Sequence, residues 1–228
     1  MKPSSGRDIV ITIDGPAGAG KSTVAARLAE RLRFTLVDTG ALYRGLAWAV
    51  RQAGVAVEDD AALRAVLDAT SVRLEGARVF VNGRDVTAEI RSPEISQLTS
   101  RLTMLAPVRD KMTPIQRSLA AAGGAVLEGR DTGSVVWPEA EVKFYLDADL
   151  DTRAGRRQGE LRTRGLAADL ETVRDEMVRR DRQDMERALA PLVKPEGAVV
   201  VDTTGRGIAE VVDTLLRIVE QARCCTRS

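Results

Sequence analysis

The sequence predicts an α/β fold: a five-stranded parallel sheet flanked by helices, with one small antiparallel β insert. Three observations carry that expectation. Short apolar, β-branched runs recur at residues 9–13, 34–37, 125–127, 142–146 and 198–201. They read as short buried strands, and helical patterns fill the intervals, which argues for a parallel sheet with helices on both faces. Only the middle breaks this rhythm. There Val72-Arg-Leu-Glu-Gly and Arg78-Val-Phe-Val-Asn82-Gly83-Arg-Asp-Val86 alternate apolar with polar around an Asn-Gly turn, so a β-hairpin is expected near residues 71–90.

Length and composition set the bounds. The 228 residues fit one domain able to bury a full core. The formal net charge of +1 supplies no global field toward nucleic acid or anionic membrane. Of the 34 cationic residues only five are lysine. Arginine's planar fork suits phosphate recognition, although a G- and C-rich genome explains the bulk bias equally well. The absence of histidine excludes His-based triads, His-ligated zinc and imidazole bases. Two adjacent cysteines, Cys224 and Cys225, make neither a disulfide framework nor a zinc site, and a frayed tail is the expectation there. Residues 1–8 show no apolar signal core and no stretch is long enough to span a bilayer, so a cytoplasmic protein without membrane or nucleic-acid partners is expected.

The first expected strand leads into Gly15-Pro16-Ala17-Gly18-Ala19-Gly20-Lys21-Ser22, followed by Thr23 and an amphipathic helix to about Leu32. This is the P-loop pattern in the setting its physics needs, and it makes the expected architecture a P-loop NTPase fold. The glycines let backbone N–H groups turn toward a β-phosphate, and the helix N-terminus adds partial positive charge. Lys21 is then expected to bridge β- and γ-phosphates and Ser22 to ligate Mg²⁺.

Three later clusters bear on what else binds. Asp38-Thr39-Gly40-Ala41-Leu42-Tyr43-Arg44 follows the second strand, and Glu128-Gly129-Arg130-Asp131-Thr132-Gly133 follows the third. Ligands of open parallel sheets bind beyond the carboxyl ends of the strands, which is where both clusters fall. Each also has a plainer reading, the first as a helix cap with a solvated arginine, the second as a turn with a local ion pair. The third cluster is helical: Arg153, Arg156 and Arg157 share one face, as do Arg180, Asp184 and Arg187. Solvated decoration is the commoner fate of such runs, whereas convergent arginines are what a transferring phosphoryl group requires.

Taken in order, these motifs resemble the bacterial cytidylate kinase family from Ile9 to about Asp202, including the hairpin insert and Arg180-Asp-Arg-Gln-Asp184-Met-Glu-Arg187-Ala-Leu-Ala-Pro-Leu. The resemblance implies a core (about residues 1–55, 104–150 and 168–228), an acceptor-binding insert (about 56–103) and a helical lid (about 151–167). It implies ATP on residues 15–23 and Arg156. It implies an acceptor phosphate on Thr39, Arg44, Arg130 and Arg187, a base read by Ser100, Arg109 and Asp131, and a pentose met by Arg180 and Asp184. Lys21, Arg130, Arg153 and Arg157 would serve catalysis. The implied reaction is ATP-dependent phosphorylation of CMP, with dCMP a second acceptor, by a monomer using Mg²⁺. Met185 and Leu42 depart from the residues usual in the family. Two rival readings are a small-metabolite kinase of the shikimate type and a non-catalytic ATP-binding module; a GTPase would want an Asn-Lys-x-Asp motif, which is absent.

Overall fold

A computed structural model describes residues 8–225; residues 1–7, which hold most of the segment expected to lack a signal core, lie outside them. In chain order the elements are β1 (Val10–Asp14), α1 (Lys21–Leu32), β2 (Thr35–Asp38), α2 (Thr39–Gln52), α3 (Asp60–Ala69), β3 (Val72–Glu75), β4 (Arg78–Val81) and β5 (Arg84–Asp85). There follow α4 (Pro93–Leu102), α5 (Ala106–Ala120), β6 (Ala125–Glu128), β7 (Val142–Asp147), α6 (Leu150–Thr163), α7 (Leu170–Glu186), β8 (Val199–Asp202) and α8 (Ile208–Cys225).

The five expected strands form one sheet in the order β2-β6-β1-β7-β8, with every pairing parallel. Because side chains alternate along a strand, β1 and β6 each feed two cores. Val10, Val37, Ala125 and Leu127 face a cluster built with Leu42, Leu46 and Val50 of α2 and Val108 and Met112 of α5. Ile9, Ile11, Ile13, Val126 and Phe144 face the opposite cluster, with Val24 and Leu28 of α1 and Leu215 and Val219 of α8. The apolar runs of the two inner strands are thus explained: β1 and β6 are buried at every position, whereas β8 at the sheet edge leaves Val199 and Val200 exposed.

The insert has three strands, β3-β4-β5, antiparallel, where the sequence pattern suggests a single hairpin. Asn82 (φ 49°) and Gly83 (φ 81°) make the β4–β5 turn, with both central residues left-handed as this turn type requires. The second turn is at Gly76-Ala77, and β5 is only two residues long, too short to leave a periodicity. The sheet docks on α2 through the buried Val72, Val79 and Val81.

Helices α6 and α7 pair through a small cluster of Ala154, Val173 and Met177. At the C-terminus α8 runs through both cysteines, so the tail expected to fray is helical to Cys225. No helix among the described residues is long and apolar enough to cross a membrane.

Candidate active site

Side-chain caps close the N-termini of five helices: Asp38 on α2, Asp59 on α3, Ser92 on α4, Asp149 on α6 and Asp169 on α7. At α1 the N-cap is Gly20, left-handed, with no capping side chain and no acid in the first turn. Its free N–H groups and partial positive charge therefore face the loop Gly15–Gly20 and whatever anion that loop holds. The loop also lies hard against the sheet. Gly15 has φ 146°, and a Cβ there would fall 2.0 Å from the carbonyl oxygen of Leu146 on β7, so only glycine fits.

Lys21 is buried, and its Nζ donates to the Pro16 carbonyl at 2.7 Å. Burial, with Arg130 adding repulsion, pulls its ammonium well below the usual lysine range. Ser22 Oγ donates to Glu128 Oε1 at 2.7 Å, and burial with Asp38 nearby pushes the Glu128 carboxyl well above its usual value. A strained cation beside a strained anion, next to a row of free amides, is an environment that a phosphate with a hard cation would relieve. The oxygen pair of Ser22 and Glu128 suits Mg²⁺, whose ligands are hard oxygens. Sequence reasoning gave Glu128 no role of its own; its place at the carboxyl end of an expected strand was the available signal.

The loop opens into a cavity of about 540 Å³ whose walls include Gly18, Lys21, Ser22, Thr23, Thr39, Arg44, Ser100, Arg109, Arg130, Asp131, Arg157, Arg180, Asp184 and Arg187. Every acceptor-side residue expected from the sequence lines this one space. Of the plainer readings, the helix cap holds at the same time, while the solvated arginine and the local ion pair do not. Asp38 does cap α2, accepting from Ala41 N at 2.7 Å, and it pairs with Arg44 at 3.4 Å. The Arg130–Asp131 ion pair is not formed; each side chain reaches further. Arg130 Nε donates to Asp184 at 2.9 Å, and Asp131 accepts from Arg109 and, at 3.3 Å, from Arg187. Thr39 Oγ1 donates to the Glu128 carbonyl at 2.8 Å.

Arg180 is the exception among these arginines. It forms no ion pair among the described residues, and its buried Nε has no hydrogen-bond partner. Burial, followed by repulsion from Arg130, lowers its guanidinium to about 10. A cation on a cavity wall with a buried, unpartnered N–H calls for a polar or anionic ligand. Arg130 is half-buried, which works against its charge, but Asp184 outweighs this and holds its guanidinium above the ordinary value.

The loop that carries Arg130 and Asp131 is fixed from below. Asp14, fully buried at the end of β1, accepts from Thr132 N and Thr132 Oγ1 at 2.8 Å and from Gly133 N at 2.7 Å. A single π turn, Thr132–Val136, follows. Asp14 is a second residue that sequence reasoning left without a task.

Three placements differ from expectation. Arg153 does not line the cavity: it is buried beneath the glycine loop, donating to Ala148 O at 3.0 Å, to Ala17 O at 3.2 Å and to Asp181. Arg156 likewise braces the loop, with Nη2 on the Thr203 carbonyl at 2.7 Å and Nη1 on Thr203 Oγ1 at 2.9 Å and Gly18 O at 3.5 Å. Of the three arginines on that helical face, Arg157 reaches the cavity, held by Glu160 at 3.0 Å. Arg187 does not continue the face of Arg180 and Asp184, because α7 ends at Glu186 and Arg187 is extended (φ −62°, ψ 139°). It reaches the cavity from the chain beyond the helix, with Nε anchored on Ala190 O at 2.7 Å. Of the departures from the family pattern, Leu42 is core and Met185 is about half exposed; neither lines the cavity.

A glycine loop at the head of a central parallel strand, with cationic side chains gathered across the carboxyl rim, defines a P-loop kinase. The fold agrees: the shikimate kinase of Bacteroides thetaiotaomicron is 12% identical, covers 93% of this chain and 98% of its own, and superimposes with a TM-score of 0.50. The family model for cytidylate kinase matches residues 11–221. The cytidylate kinase of Symbiobacterium thermophilum is 48% identical over 216 residues, spanning 92% of this chain and 96% of that protein. That of Geobacillus sp. (strain WCH70) is 47% identical over 218 residues, 94% of this chain and 97% of that one. The chain belongs to the cytidylate kinase family, and it is an enzyme.

Proposed function

We propose that the enzyme transfers the γ-phosphoryl group of ATP to CMP, giving ADP and CDP, with dCMP a second acceptor and UMP a poorer one. The observation that carries this reading is the single cavity shared by the glycine loop and by Arg44, Arg130, Arg180 and Arg187. The division into core, insert (about 56–103) and lid (about 151–167) belongs to the same proposal.

On the donor side, the amides of Gly15–Gly20 and the α1 N-terminus hold the β-phosphate of ATP, with Thr23 beside them. Lys21 exchanges the Pro16 carbonyl for phosphate oxygens, which restores its charge. Mg²⁺, when bound at Ser22 and Glu128, supplies neutralising charge between the phosphates. On the acceptor side, Arg44, Arg130 and Arg187 grip the monophosphate with Thr39, while Arg180 and Asp184 meet the pentose. Ser100, Arg109 and Asp131 read the base. The cytosine amino group donates to the Asp131 carboxylate, where the corresponding carbonyl of uracil would be repelled.

The acceptor phosphate oxygen attacks the γ-phosphorus in line, the bond to the β-phosphate oxygen breaks, and ADP leaves. A phosphate monoester is already anionic near neutral pH, so no side chain has to remove a proton, in keeping with a chain that has no histidine. Alignment and charge do the rest. Arg157 of the lid stabilises the transferring group, while Arg153 and Arg156 act through the glycine loop they brace.

Family membership and the base-reading corner favour CMP over a small-metabolite acceptor or a non-catalytic role. ADP release with CMP, UMP, shikimate and no acceptor tests the reading. CMP is expected to give the fastest release, and equal release with and without CMP would overturn it.

A further inference from the structure

Two arginines on the cavity wall have no part in the roles above. Arg91 ends a 3₁₀ turn (Glu89–Arg91) next to the insert's sheet, and Arg164 caps the C-terminus of α6 in the lid. They therefore approach from opposite sides. Both line the main cavity and both are exposed. Arg44, Arg109, Arg130 and Arg187 each have a carboxylate partner, whereas Arg91 and Arg164 have none in salt-bridge reach among the described residues. Yet they meet: Arg164 Nη1 donates to the Arg91 main-chain carbonyl at 3.2 Å.

Gathering like charges without an acid is unfavourable, and an anion entering the cavity reverses the sign. The bond is to a backbone oxygen, so Arg164 fixes where the turn lies and the Arg91 guanidinium stays free. We propose that Arg164 is a clasp between lid and insert that delivers Arg91 to the nucleotide phosphates, making Arg91 a further substrate-contacting residue and Arg164 a positioning residue. The inference rests on the reading of the cavity as the meeting place of two phosphorylated nucleotides. It accounts for a lid that reaches the insert directly instead of closing on the glycine loop alone.

A double-mutant cycle of Arg91→Ala and Arg164→Ala tests it, read as kcat and KM for ATP and CMP, ATP hydrolysis without acceptor, and amide hydrogen exchange of the free protein. Both sites are exposed, so both variants should fold. Each single change is expected to lower kcat/KM roughly tenfold, and the double variant to lose no more than the worse single one, because one residue works through the other. Arg164→Ala should also raise the share of ATP lost to water and speed exchange at residues 161–168, while Arg91→Ala should leave that exchange alone. Arg164→Lys, which keeps a donor, should restore much of the rate. Multiplicative losses near a hundredfold in the double variant, or unchanged exchange in Arg164→Ala, overturn the clasp. If the wild type released no ADP with CMP, the acceptor reading would fall, and the exchange comparison would still decide the clasp.

Discussion

Replacing Asp131 with asparagine separates its ion pairing in the structure from the base reading proposed for the same carboxylate. Asp131 pairs with Arg109 and Arg187, and the three side chains are 9%, 8% and 4% exposed. Asparagine keeps the shape but removes the charge, leaving two buried guanidinium groups whose remaining acid is Asp184, 3.8 Å from Arg187. Breaking a buried ion pair from one side costs about 3–5 kcal/mol. In a chain of this size that lowers the thermal midpoint by roughly 6–20 °C. The second task is discrimination. A carboxylate only accepts hydrogen bonds, so it favours the cytosine amino group; an amide presents either a donor or an acceptor and suits uracil as well. Losing a charged hydrogen bond worth about 1.5–3 kcal/mol should shrink the CMP-to-UMP ratio of kcat/KM by roughly 10- to 100-fold. Coupled ADP-release assays on both acceptors, beside a melting curve, measure the two effects on one sample. A lower midpoint with an unchanged ratio would show Asp131 to be purely structural and refute the base-reading argument.

Other perturbations are equally direct. Lys21→Ala should cut turnover by at least roughly 10²–10³-fold without lowering the melting point, since it removes a buried cation at odds with its surroundings; wild-type rates would sink its assigned role. Gly15→Ala should abolish ATP binding and destabilise the sheet, because its methyl meets the Leu146 carbonyl at 2.0 Å; titration calorimetry showing native affinity would contradict the fit described. Arg153→Met strands Asp181, so it should reduce stability by about 3–5 kcal/mol, which a pure lid residue would not. Denaturant melts decide between the two roles. Glu128→Gln should raise the Mg²⁺ concentration needed for half-maximal rate; an unshifted titration would remove Glu128 from the cation's surroundings.

The inner strands β1 and β6 were legible because burial at every position leaves an apolar signature, and the P-loop because its spacing is dictated by the turn it makes. The two-residue β5 left no such trace. Helical spacing put Arg153, Arg156 and Arg157 on one face correctly, but periodicity carries no information on which way the face points. Only the packing of α6 on α7 turned Arg153 inward to Asp181. For Arg187 the phase itself failed once α7 ended one residue earlier. Pairings such as Arg109 with Asp131 join positions 22 apart, and Arg187 with Asp131 positions 56 apart. No local pattern records them.

The four residues of β6 tie the glycine-loop helix to the opposite wall of the cavity. Glu128, its last residue, touches Ser22 through its side chain and Thr39 through its carbonyl, and Arg130 and Asp131 follow at once. On the proposed reading, donor and acceptor would both be measured off one short rod, locked between β2 and β1. Redesign for a new base is better sought in α4 and the insert, since any shift in this rod would misalign both substrates together.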